Sequence, residues 1–183
     1  EEVPLCYGVQ KLILKRLCPH STIRLIPTLT KLETLQLTTD LPNLPLPTNL
    51  QNLHLCNSGL HPFSLPFLEG LGKFQQLRNL HIEQYRWGVA LRDPNFSWDF
   101  VTKLKNLDVL QITTQPSIKD VWTVPVTFPL ELLASNYKTK IKALKIYHEG
   151  VNDTDTIDLS PLQSCSNFNS LIIDTANDYN LNF

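Results

Sequence analysis

Methionine is absent from all 183 residues of this chain, which opens on Glu1. That start predicts an excised or processed piece of a longer protein. No apolar run reaches the roughly 18 residues of a membrane-crossing helix, and no signal-peptide pattern opens the chain. No direct membrane insertion is expected. Charge of one sign is also missing: 16 Lys and Arg face 17 Asp and Glu, a net charge of −1, with no basic stripe. This excludes a nucleic-acid partner and an anionic membrane surface as expectations.

The four cysteines, Cys6, Cys18, Cys56 and Cys165, form no C-x-x-C pair, so neither a zinc ribbon nor a thioredoxin-type motif is supported. No G-x-S-x-G, phosphate loop, H-E-x-x-H or dinucleotide fingerprint occurs. Gly70-Leu71-Gly72-Lys73-Phe74 lacks the spacing and the Ser or Thr of a phosphate loop. An enzyme is therefore not expected, and no cofactor is implied. Hydrophobic residues at 42% and charged residues at 18% suit one folded domain.

What the chain does contain is a recurring skeleton: apolar, two free positions, Leu, one free position, Leu or Ile. It appears at Val9-x-x-Leu12-x-Leu14, Leu32-x-x-Leu35-x-Leu37, Leu50-x-x-Leu53-x-Leu55 and Leu77-x-x-Leu80-x-Ile82. It returns at Leu107-x-x-Leu110-x-Ile112, Ile141-x-x-Leu144-x-Ile146 and Phe168-x-x-Leu171-x-Ile173. In a strand, residues two apart share a face. Leu53 and Leu55 then point inward together, and Asn52, His54 and Cys56 point outward. Stacked copies place Leu53 beside Leu35 and Leu80, roughly 4.8 Å from each neighbour. One copy cannot bury its apolar face alone, whereas seven neighbours can.

The seven copies resemble the leucine-rich repeat superfamily. The resemblance covers residues 9–176 and implies an α/β solenoid: a horseshoe of about seven short parallel strands with irregular outer crossings. Residues 1–8 read as an entry segment, and the whole of 1–183 as one repeat domain. Two features depart from the family. Successive second leucines lie 23, 18, 27, 30, 34 and 27 residues apart. The family's preferred Asn, three residues past the last strand apolar position, is replaced by Leu17, Asp40, Ser58, Tyr85, Gln115, Glu149 and Ala176.

Between copies, short outer elements are expected. Pro42, Pro45 and Pro47 predict an extended crossing. Leu65–Leu71 predicts one or two helical turns, with Pro66 early and Gly70 or Gly72 at the end. Ser97 is the expected N-cap of a helix running to Leu104, and Pro129 opens another. The piece holding Trp122 reads as an ordered loop. Ser160 is expected to cap a helix with Pro161 first and Gln163 reaching back.

The resemblance implies recognition of a protein or peptide through the exposed sheet face. One outward column is Ile13, Gln36, His54, His81, Gln111, Lys145 and Ile172. The next is Lys15, Thr38, Cys56, Glu83, Thr113, Tyr147 and Asp174. Polar and mixed in sign, they suit such a partner. Gln36, His54, His81, Gln111, Lys145 and Tyr147 are the candidate contact residues. Within this face, His54, Cys56, His81 and Glu83 carry four zinc-competent side chains on two adjacent strands, but ligands on one flat face diverge, so they read as two solvated histidines near a small thiol and no metal site is expected.

Two settings stay open, beside a purely structural scaffold. The irregular spacing and few cysteines resemble the recognition half of an intracellular F-box or nucleotide-binding immune receptor protein, which is preferred. The sequons at Asn95 and Asn152 favour instead the ectodomain of a secreted or Toll-like receptor, in which Cys6 and Cys18 would echo a cap disulfide. Nothing in the sequence bears on oligomeric state.

Overall fold

The computed structural model describes residues 8–14, 23–39, 46–57, 63–84, 97–113, 122–125, 128–147, 157–174 and 181–182. The expectations for Cys6, Cys18, Pro42, Pro45, Asn95 and Asn152 lie outside these residues.

Each copy of the skeleton places a strand where its Leu-x-Leu core predicts one. These are β1 (Lys11–Leu14), β2 (Thr34–Thr39), β3 (Asn52–Asn57), β4 (Asn79–Gln84) and β5 (Val109–Thr113). After β6 (Trp122–Pro125) come β7 (Ala143–Tyr147), β8 (Ile157–Asp158), β9 (Ser170–Asp174) and β10 (Leu181–Asn182). Eight of them form one open parallel sheet in the order β1-β2-β3-β4-β5-β6-β7-β9, while β8 and β10 pair separately. Parallel neighbours require a crossover between them, and the segments between copies supply it.

The expected register holds where it was specified. Leu53 pairs with Leu35 and Leu80, His54 with His81, and Cys56 with Glu83. Strands β2 and β3 alternate strictly between half-buried and buried positions. Leu35, Leu53, Leu80, Leu110 and Leu144 are all at most 2% exposed and line one continuous core. Burying a Leu side chain contributes about 1.5–3 kcal/mol each by transfer, so the stacked leucines are the main cohesive term.

Two expectations need correction. The sheet has eight strands, not seven, because the Trp122 segment is a strand and not a loop. All four residues of β6 are buried. Trp122 and Val124 take the core positions that Leu144 and Ile146 take in the next strand, but Lys119 stands where the skeleton has its first apolar residue, so the segment carries no copy of it.

The crossings carry the expected outer helices with shifted ends. Helix α1 (Leu65–Gly70) has Pro in its first turn, and Ser64 Oγ accepts the Phe67 N–H at 3.3 Å. Helix α2 (Asp99–Lys103) begins one residue later than a Ser97 cap requires. Ser97 Oγ accepts the Asp99 N–H at 3.1 Å, a local turn, and Trp98 is the flanking residue. Helix α3 (Leu130–Tyr137) follows Pro129. The Ser160 expectation is corrected too. Residues Ser160–Ser164 form a 3-10 turn, and the Asp158 carboxylate accepts the Ser160 N–H at 2.9 Å. As at Ser97, this is a local turn, and Leu159 is the flanking residue.

The crossings also share a regularity. Upstream of the skeleton, apolar residues recur every third position: Ile26, Leu29, Leu32; Leu71, Phe74, Leu77; Val101, Leu104, Leu107. The second and third N–H of each triplet bond the carbonyl three residues back, as Leu77 to Phe74 and Phe74 to Leu71, both at 3.0 Å. The residue before the skeleton then ties neighbouring copies together. Asn49 Nδ2 donates to the Thr30 carbonyl at 2.6 Å, Asn106 to Gln75 at 2.8 Å, and Asn167 to Thr139 at 2.6 Å. Lys140, in the same slot, donates to the Leu107 carbonyl at 3.0 Å. An amide ladder exists, therefore, at the entry to the strands.

Candidate functional site

The face of the sheet away from the core is built by the outward residues of the strands. On β2, β3 and β4 the first outward row is Thr34, Asn52 and Asn79, already joined to one another. Asn79 Nδ2 donates to Asn52 Oδ1 at 2.6 Å, and Asn52 Nδ2 to Thr34 Oγ1 at 3.1 Å. A shallow depression of about 250 Å³ runs along this face, with Ile13, Gln36, Asn52, His54, Asn79 and His81 among its lining.

The second outward row reads Ile13, Gln36, His54, His81, Gln111, Thr123, Lys145 and Ile172. It brings Gln36, His54, His81 and Gln111 together in four consecutive strands. Lys145 is not next to Gln111, because β6 inserts Thr123 between them. At both ends of the row the apolar residues are open: Ile13 is 41% and Ile172 38% exposed.

The face is not uniformly accessible. Gln111 is only 9% exposed, and Thr113, Thr123 and Tyr147 are buried although alternation points them outward. Tyr147 is thus corrected as a contact residue: at 6% exposure it offers a partner almost no surface. The continuous accessible part of the face belongs to β1–β4, and the face opens again at Lys145 and Ile172.

At the centre of that part sit two histidines. Their rings stack with centroids 3.9 Å apart and planes inclined by 13°. Stacking of this kind suits neutral imidazoles, and the surroundings enforce neutrality. Burial lowers the His54 pKa, and the Glu83 carboxylate opposes that shift without reversing it. Burial, with the His54 charge as a second cause, pushes His81 down to about 3. His54 Nε2 lies 3.7 Å from Glu83 Oε2. With His54 neutral at pH 7 this approach is no ion pair, and it is too long for a hydrogen bond. The Nε2 atoms of His54 and His81 are both buried and lack a hydrogen-bond partner. One potential ligand atom from each of His54, His81 and Glu83 lies within 4.8 Å of the others.

Cys56 belongs to the next row but not to this cluster. Burial and the nearby Glu83 charge push its thiol pKa up, which disfavours the thiolate. The sequence places all four side chains on one face; the structure converges only three of them.

The Thr34–Asn52–Asn79 row and the buried ends of the strands were missed. Thr39, Asn57 and Gln84 are in register and nearly wholly buried, where Leu or Ile would be expected by alternation. Gln84 Oε1 accepts the Phe63 N–H at 2.8 Å, so the polar layer anchors the chain as it leaves the sheet. The available signal was the identical slot of these residues, two past the last apolar position of copies two, three and four.

Comparison with protein-family models, with curated proteins and with solved structures finds no match for this chain.

Proposed function

We propose that the chain is a leucine-rich-repeat-type solenoid acting as a non-enzymatic recognition module for a protein or peptide. The observation that carries this reading is the accessible outward face of β1–β4. It is a mixed, polar surface with an apolar residue, Ile13, at its rim, mounted on in-register strands above a closed core. Rigid strands hold Gln36, His54 and His81 at fixed spacing, so little ordering free energy is spent on binding. Asn52 and Asn79 add amide groups that an extended peptide can meet. Lys145 lies two strands further along the same row than Gln111. It serves a partner that spans the sheet.

The setting we favour is the recognition part of a larger intracellular protein of F-box or nucleotide-binding immune receptor type. A secreted or Toll-like receptor ectodomain is the second reading, favoured by the sequons at Asn95 and Asn152. Intact mass with and without glycosidase separates the two, since attached glycan reverses the order.

The face assignment is tested by selecting peptides from a display library against the wild-type chain. Selected binders are then measured on Gln36→Ala and His81→Ala. At least one substitution should weaken a binder by more than about 1 kcal/mol. Binders that ignore both substitutions and respond to changes on the outer crossings would refute the assignment.

A further inference from the structure

We propose that His54, His81 and Glu83 form a binding site for a divalent transition-metal ion of the zinc class, with at least one coordination position left open on the exposed side. The inference rests on the geometry of these three residues and stands apart from the repeat-family reading.

Three observations point to a cation. First, the donor set is right: two imidazoles and a carboxylate are ordinary zinc ligands, and three protein ligands leave room for water or a ligand from a partner. Second, the three donor atoms already lie within 4.8 Å of one another, drawn from adjacent strands whose register is set by the leucine core. Third, the His54 and His81 Nε2 atoms are buried without a hydrogen-bond partner. A buried acceptor left unsatisfied costs free energy, and a metal ion would satisfy both at once.

The site is close to a binding geometry without being in one. Zinc–ligand bonds of about 2.0–2.1 Å at tetrahedral angles place donor atoms about 3.3 Å apart. Stacked rings also present their in-plane lone pairs side by side rather than at one point. Binding therefore requires the imidazoles to tilt out of the 3.9 Å stack and Glu83 to close in. These are side-chain rotations on the solvent side of the sheet, and the leucines beneath can stay in place. Cys56 is not assigned as a ligand, because it lies outside the converging group.

The test is titration of the reduced, full chain with zinc alone by calorimetry, and with cobalt(II) as a spectroscopic substitute. The expected result is one-to-one zinc binding, weakened more than about 100-fold by His54→Gln or His81→Gln, since loss of a ligand exceeds the effect of losing its support. Cys56→Ser should bind as wild type does. Cobalt should give the visible absorption of a four-coordinate site with no thiolate charge-transfer band. That spectrum needs no variant, so it stands even where a substitution unfolds the chain. The proposal is overturned by the absence of zinc heat in the wild type, by unchanged binding in both histidine variants, or by a thiolate band that Cys56→Ser removes.

Discussion

Tyr137 reaches back across the outer layer to Val101. Its hydroxyl lies 2.5 Å from the Val101 carbonyl oxygen and 2.9 Å from that of Leu104. Both carbonyls belong to the end of α2, where a helix leaves acceptors incompletely used. Tyr137 closes α3 and is 1% exposed, with its ring against Trp122 at 5.1 Å. Tyr137→Phe should keep the packing and lose the shared hydrogen bond. Val101 and Leu104 each retain a backbone partner, so the expected loss is about 0.5–1.5 kcal/mol in urea unfolding.

The core register makes a contrast between neighbours. Leu80→Ala should cost about 2–5 kcal/mol, because the side chain is fully enclosed by Leu53 and Leu110 in adjacent strands. Asn79→Ala, one residue away on an exposed position, should cost no more than about 0.5–1.5 kcal/mol, the worth of its exposed bond to Asn52. Gln111→Ala, which alternation alone would rank as neutral, should fall between them because that residue is buried. Equal losses at positions 79 and 80 would mean that the strand faces are exchanged.

The amide ladder predicts a repeated, modest effect. Asn106→Ala removes the bond to the Gln75 carbonyl, and Asn167→Ala the bond to Thr139. Each bond is exposed, so each substitution should cost about 0.5–1.5 kcal/mol. The sites are far apart in the stack, and the double variant should be additive within about 0.5 kcal/mol. Thermal melts of both single variants and the double variant check this.

His81 contributes a pH dependence with a defined sign. Its pKa falls from an ordinary 6.5 to about 3 in the folded chain. Below 6.5 the unfolded state takes up a proton that the folded state refuses, so stability from this residue is complete above about pH 6.5. It is lost progressively as pH falls toward 3. With a chelator present, the denaturant midpoint of wild type should therefore fall relative to that of His81→Gln on acidification. A constant difference across that window would show that His81 titrates normally.

Much of the fold was legible because one physical requirement, an apolar pair two residues apart, recurs wherever a strand faces the core. Leu53–Leu55 and Leu80–Ile82 announce both their strands and their register. The Trp122–Pro125 strand was not legible, since Trp122 and Val124 stand in for the leucine pair and Lys119 for the apolar residue that precedes it elsewhere. Tyr147 shows a different gap: alternation says which way a side chain points, not whether something covers it. At the candidate site, the adjacency of His54 and His81 followed from register. Their stacking, and the exclusion of Cys56 from the converging group, depend on strand twist and rotamers, which no spacing encodes. The ladder of Asn49, Asn106 and Asn167 was visible as a repeated slot, but it sits outside the skeleton that drew the eye.

The inserted strand also governs how the molecule comes apart. Among the described residues β6 shares a single register pair with β5, Gln111 with Thr123, against four with β7 and six between β3 and β4. Ladder pairing is thus sparsest at this joint, although β5 and β6 lie as closely side by side as β6 and β7 do. What crosses that joint beneath is the outer layer: Tyr137 on Val101 and Leu104, and Lys140 on Leu107. Hydrogen exchange should find the facing edges of β5 and β6 less protected than those of β3 and β4, and Tyr137 is the rivet across that joint.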